Sequence, residues 1–195
     1  MKNQFFAFVS RMKYIQRWGL MRNTETENLK EHCCSVAMIA HALGVINNVY
    51  FGGNVNADRL SVYALYHDAE ETITGDMPTP VKYFSPVLRK AYGDVEADAK
   101  NTLISMLPEK MRPDYRKVMT IEDENERRLV KAADVIDAYI KCLEELKCGN
   151  VEFKAAAKSI ENKLKSLNCP EAELFVKDYI PAYKCSLDEL KSDED

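Results

Sequence analysis

The chain has 195 residues, of which 27 are lysine or arginine and 31 aspartate or glutamate, for a formal net charge of −4. That balance argues against a polymeric nucleic acid partner, because a phosphate backbone demands a basic face, while small anionic substrates need only a few local cations. Proline and glycine are scarce and no composition shift marks a linker, so one domain is expected over residues 1–190, followed by an acidic frayed tail over 191–195.

The six cysteines (Cys33, Cys34, Cys142, Cys148, Cys169 and Cys185) form no C-x-x-C pair and no framework spacing, which predicts reduced thiols and a cytoplasmic location. The apolar run from Phe5 to Val9 is too short for a secretory segment and is followed by Arg11, Lys13 and Arg17. No uninterrupted apolar run approaches a membrane span, so no membrane contact is expected.

Apolar residues recur at helical spacing almost throughout, and strand-like alternation between tight turns is missing, which predicts an all-α, single-domain helical bundle. A first helix is expected over about residues 3–16. It leads into a connection where Arg17 adjoins Trp18, the only tryptophan; the pair suggests a binding role, and the competing reading is an aromatic staple on the core. A second helix, about 29–48, has Asn28 as N-cap and Glu31 three residues on. Phe51-Gly52-Gly53-Asn54 breaks the chain before a third helix, expected from residue 56 or 57 to about 73. Gly75 stops it, and Asp76-Met77-Pro78-Thr79-Pro80 reads as a stiff loop. Ser85 and Pro86 open a fourth helix reaching about residue 107, a fifth runs over about 124–147 and ends at Gly149, and two more cover about 151–166 and 170–179.

His67 and Asp68 lie together inside the apolar third helix, in a chain with three histidines. An imidazole and a carboxylate in such surroundings need a reason to lose water, and a shared divalent cation supplies one. His32 and His41, nine residues apart, face opposite ways on a helix turning about 100° per residue and cannot serve one site. His32 stands near a helix start, where a crevice is expected; His41 reads as structural. On an uninterrupted helix Glu71 shares a face with both His67 and Asp68, which makes it the general acid/base candidate, against a reading of Glu70 and Glu71 as a solvated helix end. Asp134 and Asp137 are both candidates to complete a metal site, the alternative being a surface stripe partnered by Lys131 and Lys141. Cys33 and Cys34, adjoining His32 on one helix, are expected to point away from it. The run Glu122-Asp123-Glu124 lacks calcium-loop spacing and is expected to support a helix N-terminus.

A histidine, a His-Asp pair 35 residues later and an aspartate 66 residues beyond it resemble the H…HD…D set of HD-domain phosphohydrolases. Further segments, among them Ser10-Arg11-Met12-Lys13, Arg17-Trp18, Met21-Arg22-Asn23, Phe51-Gly52-Gly53-Asn54, Tyr66-His67-Asp68-Ala69-Glu70-Glu71, Thr74 to Phe84 and Lys131-Ala132-Ala133-Asp134, resemble the bacterial HD-domain 5′-deoxynucleotidases of the YfbR type over all but the tail. The resemblance implies an HD-type bundle and metal ligands His32, His67, Asp68 and Asp134, with Glu71 as the catalytic carboxylate. It implies that Arg17 holds a 5′-phosphate, that Trp18 excludes a 2′-hydroxyl, and that Asp76, Met77, Pro78 and Thr79 line a nucleotide site. It further implies one divalent transition metal ion, cobalt or manganese, a homodimer, and deoxyribonucleoside 5′-monophosphates as substrates. His32, Asp68 and Asp134 would then contact substrate as well as metal. Cys33 stands where the family often has serine. Alarmone hydrolases, whose pattern adds an adjacent Glu-Asp, fit less well because Thr72 follows Glu71. A non-catalytic metal-binding module would keep the four ligands while losing Glu71, Arg17 or the loop.

Overall fold

The computed structural model describes residues 3–82 and 84–191, without the side chains of 79, 80 and 191. Tyr83 and the expected acidic tail from 192 on lie outside the described residues. All described elements are helices, and the one extended pairing is an isolated antiparallel bridge between Gln16 and Asn28.

Helix α1 (Phe5–Val9) tightens into a 3₁₀ turn over Ser10–Tyr14, so the expected first helix is shorter and ends in a different winding. Asn28 then starts α2 (Leu29–Tyr50): its Oδ1 accepts from Lys30 N (3.0 Å) and Glu31 N (3.1 Å), and Glu31 Oε2 accepts from Asn28 N (3.1 Å). This is the reciprocal capping box that its spacing predicts.

Asn56 caps α3 (Ala57–Leu65) by accepting from Arg59 N at 2.9 Å. The expected third helix does not continue to residue 73; it stops at Leu65, passes through 3₁₀-type turns and resumes as α4 (Glu71–Thr74). The reason is local. His67 Nδ1 donates to Ala64 O at 2.7 Å, and that same oxygen takes the His67 N–H at 3.4 Å, so Ala64 O is diverted from the α-helical bond to residue 68.

Gly75 ends α4 at φ +76, after which α5 (Thr79–Lys82) makes one turn within the expected loop. Ser85 caps α6 (Pro86–Ser105) through Leu88 N at 3.1 Å. Helix α7 (Arg112–Met119) has no counterpart among the expected elements. Asp123 caps α8 (Glu124–Lys147) by accepting from Glu126 N at 2.9 Å, as the acidic run predicts. Helices α9 (Lys154–Ser166) and α10 (Pro170–Asp178) follow, and 3₁₀ turns at Ile180–Lys184 and Glu189–Lys191 come after them.

Helices α2, α3 and α8 form the centre, where Val36, Leu43, Leu60, Leu129 and Ile136 are fully buried and Phe175 of α10 packs against them. A Cβ at Gly44 would stand 2.8 Å from Leu60 Cδ1 and 3.0 Å from Ala57 Cα, so α2 and α3 approach as closely as they do because no side chain intervenes. By length and mean hydropathy (1.4), α2 could pass as a membrane span, unlike the reading from interrupted apolar runs, but half of that stretch is buried in this core. A second cluster, built on Phe5, Met12, Leu29, Leu103 and Met119, ties the N-terminal segment to α6 and α7.

Candidate active site

Two imidazoles and two carboxylates from three separate segments converge between α2, the α3–α4 break and α8. His32 is fully buried; its Nδ1 lies 2.6 Å from Asp137 Oδ2, an acceptor, so Nδ1 carries the proton and Nε2 is left bare. His67 is fixed the same way by Ala64 O. Neither Nε2 has a hydrogen-bond partner although both atoms are buried. His32 Nε2 stands 3.4 Å from Asp134 Oδ1 and 3.8 Å from Asp68 Oδ2, and His67 Nε2 stands 3.0 Å from Asp68 Oδ2.

Those separations are near the donor–donor edges, about 3.0–3.4 Å, of an ion with bonds of about 2.1 Å. Two bare imidazole nitrogens beside carboxylate oxygens are the donor set of a divalent metal site, and the residues present fit one. His32, His67 and Asp68 bring one donor atom each within 4.8 Å of one another. Glu27, His32 and Asp137 do likewise, but His32 Nδ1 and Asp137 are already bonded together and Glu27 accepts from Arg17 and Trp18. The two candidate aspartates lie on different sides of the ring: Asp134 Oδ1 stands 3.4 Å from Nε2, and Asp137 Oδ2 stands 2.6 Å from Nδ1. Asp134 also pairs with Lys131 at 2.5 Å, while Lys141 pairs with Glu145 and not with Asp137.

Charge follows the same geometry. Burial and Arg17 lower the His32 pKa, and the neighbouring carboxylates of Asp134 and Asp137 more than reverse that. Burial pushes Asp68 up, but the charge of a protonated His67 holds it well below the usual carboxylate range, and Asp68 in turn raises the pKa of His67; a divalent cation between the two would take that proton's place. Burial likewise opposes ionisation of Asp134, and Lys131 and His32 restore it.

Glu71 opens α4, next to the break. Its Oε2 is buried and makes no hydrogen bond, and burial, then Asp68, then Asp76 push its pKa up to about 9. The helix break means that Glu71 does not meet His67 and Asp68 along one continuous helical face. Glu70 is 6% exposed and pairs with Lys100 at 3.4 Å, so the solvated helix end is not what the structure has. The Thr72 hydroxyl donates to Ala69 O at 2.8 Å, where an alarmone-type site would carry a second acid.

Cys33 lies beside the other site histidine, His67. Its buried Sγ lies 3.6 Å from His67 Nδ1, beside the ring and outside the four donors, with burial raising its pKa. The packing of α2 on the α3–α4 break brings the two together, and the adjacency of Cys33 to His32 carries no sign of it. His41 is exposed on the far side of α2, 3.4 Å from Asp58, and takes no part.

Above the donors runs the 15–29 connection, closed at its base by Arg17 N to Glu27 O (2.9 Å) and Leu29 N to Ile15 O (2.9 Å). Arg17 Nε and Trp18 Nε1 both donate to Glu27 Oε2 at 3.2 Å. Trp18 also meets Phe153 at 5.3 Å between ring centroids, so the aromatic staple is present, with the ring half-buried. The far end of the strap is anchored by Glu145, which is 1% exposed and accepts from Thr24 N (2.9 Å), Thr24 Oγ1 (2.6 Å), Asn150 Nδ2 (2.8 Å) and Lys141 Nζ (2.5 Å). Neither Glu27 nor Glu145 was singled out by sequence reasoning, since their partners are set by the tertiary fold. Met77 and Pro78 are half-buried and Asp76 is exposed; burial raises the Asp76 pKa and Arg17 opposes that. The side chain of Thr79 lies outside the described residues.

An all-α bundle with this His/His-Asp/Asp cluster defines an HD-domain protein. A Listeria innocua HD-domain phosphohydrolase superposes with a TM-score of 0.80 at 25% identity, covering 96% of this chain and 92% of that one. The HD phosphohydrolase of cyanophage S-2L, solved bound to dA and one catalytic Zn2+ ion, matches at a TM-score of 0.63 and 21% identity over 90% of this chain and 95% of its own. Residues 4–183 match the family described as 5′-deoxynucleotidase YfbR-like, and the chain belongs to that family. It is 47% identical to a 5′-deoxynucleotidase of Vibrio vulnificus over 97% of this chain and 98% of that one, and 46% identical to one of Pectobacterium atrosepticum over 98% of each.

Proposed function

We propose that the chain is a metal-dependent 5′-deoxynucleotidase that hydrolyses deoxyribonucleoside 5′-monophosphates to deoxyribonucleosides and phosphate and discriminates against ribonucleotides. The observation that carries this reading is the pair of buried, unpartnered Nε2 atoms of His32 and His67 beside Asp68 and Asp134. It stands in a chain 47% identical to a 5′-deoxynucleotidase over nearly its full length.

His32, His67, Asp68 and Asp134 would hold one divalent transition metal ion, cobalt or manganese on the family pattern. When bound, the ion offsets phosphoryl charge and polarises the attacking water. Arg17 neutralises a further phosphate oxygen: Glu27 engages its Nε, and its terminal nitrogens make no hydrogen bond among the described residues. Glu71 Oε2 delivers a proton to the leaving 5′-oxygen, because burial beside two negative carboxylates favours the protonated form. Trp18 lies against the sugar and leaves no room for a 2′-hydroxyl, while Asp76, Met77, Pro78 and Thr79 line the nucleotide site.

On the same pattern the chain forms a homodimer, which light scattering tests. Six free cysteines agree with a reducing, cytoplasmic setting. The direct test is phosphate release from dAMP and AMP by metal-stripped protein, with cobalt, manganese, zinc or magnesium restored separately. Metal-dependent release from dAMP and hardly any from AMP supports the reading. Stoichiometric metal binding without release from dAMP refutes it.

A further inference from the structure

We propose that Glu27 is a positioning residue that makes phosphate binding and sugar discrimination one property, by holding Arg17 and Trp18 through a single carboxylate oxygen. The inference rests on the roles given above to Arg17 and Trp18.

Arg17 and Trp18 are neighbours in the turn that follows the Gln16–Asn28 bridge, and both reach Glu27 Oε2, each at 3.2 Å. Trp18 has φ +58, a left-handed conformation that bulky residues rarely adopt. That conformation is strained for a residue with a Cβ. The bond from Nε1 to Glu27 and the contact with Phe153 offset it, as do the bonds that Trp18 O accepts from Met21 N (2.9 Å) and Asn23 Nδ2 (3.3 Å). Glu27 is itself fixed, with its backbone oxygen accepting from Arg17 N at 2.9 Å and its side chain 15% exposed.

Glu27 has a second effect on Arg17. The guanidinium also feels the charges of Asp134, Asp68 and Asp137. Glu27, at 3.2 Å from Nε, acts on it more strongly than any of those three and so sets where the guanidinium is held. On this reading Glu27 acts through its two donors, which both engage its Oε2.

The experiment pairs steady-state kinetics on dAMP and AMP, in the manganese-loaded protein, with acrylamide quenching of Trp18, the only tryptophan and therefore a private probe. Glu27→Gln is expected to raise KM for dAMP about tenfold, the loss of one charge-assisted hydrogen bond, with a smaller change in kcat. The preference for dAMP over AMP narrows in parallel, quenching rises, and metal content is unchanged. Trp18→Phe, which keeps a ring but removes the N–H, narrows the preference too, and Glu27→Gln costs less in that background than alone. A change in KM without a change in preference, the reverse, full additivity, or unaltered quenching overturns the coupling. Should the wild-type protein release no phosphate from dAMP with any metal, both the activity and the coupling fall. A wild-type enzyme active on dAMP whose Glu27→Gln variant behaves identically sinks the coupling alone.

Discussion

His67 Nδ1 lies 2.7 Å from the carbonyl oxygen of Ala64, three residues earlier, and the helix that carries Ala64 ends one residue beyond it. One hydrogen bond thereby does two things. It releases the backbone into the turns that present Asp68 and Glu71, and it fixes the tautomer that leaves His67 Nε2 bare.

His32 gets its tautomer from Asp137 at 2.6 Å. Asp137→Asn keeps an acceptor there but loses the charge that makes the imidazole a stronger donor, so metal affinity should fall about 10- to 100-fold. Chelator competition measures it, and an unchanged affinity would show that Asp137 serves packing only.

Glu71→Gln should retain the metal while turnover drops by at least about 100-fold, the usual worth of a positioned proton donor. In the wild-type enzyme the donor form is populated below the pKa of Glu71, which burial and Asp68 push up to about 9, and is lost above it. The kcat profile should therefore descend on its alkaline side. A Glu71→Gln protein of normal turnover refutes the assignment.

Lys141 and Glu145 are 8% and 1% exposed in their side chains and bonded at 2.5 Å, with Lys141 Nζ also donating to Glu25 O at 2.6 Å. Lys141→Met leaves the carboxylate buried without its counter-charge, at a cost of about 3–5 kcal/mol, or a fall in Tm of about 10 °C for a chain of this size. Calorimetry reads the loss, and amide exchange at Thr24 and Glu25 should quicken first. Slow exchange there in the variant would mean that the strap is held by something else.

Glu171, 1% exposed, accepts from Arg128 (2.8 and 3.0 Å) and Asn47 (2.6 Å). Burial opposes its ionisation, but those bonds hold its pKa at about 2 against an ordinary 4.5. The folded pKa is the lower one, so the contribution is complete above pH 4.5 and disappears as pH falls toward about 2. It amounts to about 3 kcal/mol. Denaturant titrations of Glu171→Gln should show a shallower loss of stability across that acid window than the wild type, and parallel curves would refute the pairing.

Features governed by near neighbours in the chain were legible from the residues alone. The capping box at Asn28 and Glu31, the Ser85-Pro86 start and the full extent of α8 depend on side chains within a turn of one another. The helix break at His67 was not, because periodicity carries no information about a side chain competing for a backbone carbonyl. Helix α7 escaped notice for a different reason: Arg112–Met119 is short and mostly polar, with a single buried residue, Met119. In the site, the donors were named through the family motif, and their convergence is a matter of geometry that the structure supplies. Glu27, Asp137 and Glu145 owe their roles to partners up to 121 residues away in the chain, which no local pattern reveals.

The close approach of α2 and α3 at Gly44 has a thermodynamic corollary. His32 belongs to α2, His67 and Asp68 follow α3, and Asp134 belongs to α8, so an ion held by all four acts as a cross-link among the three helices of the core. Unfolding the chain scatters its ligands, and ligand occupancy and global folding become a single linked equilibrium. Chelator and denaturant then pull on the same reaction, and a substitution that merely spreads α2 from α3, such as Gly44→Ala, should weaken metal retention from a position that touches no ligand.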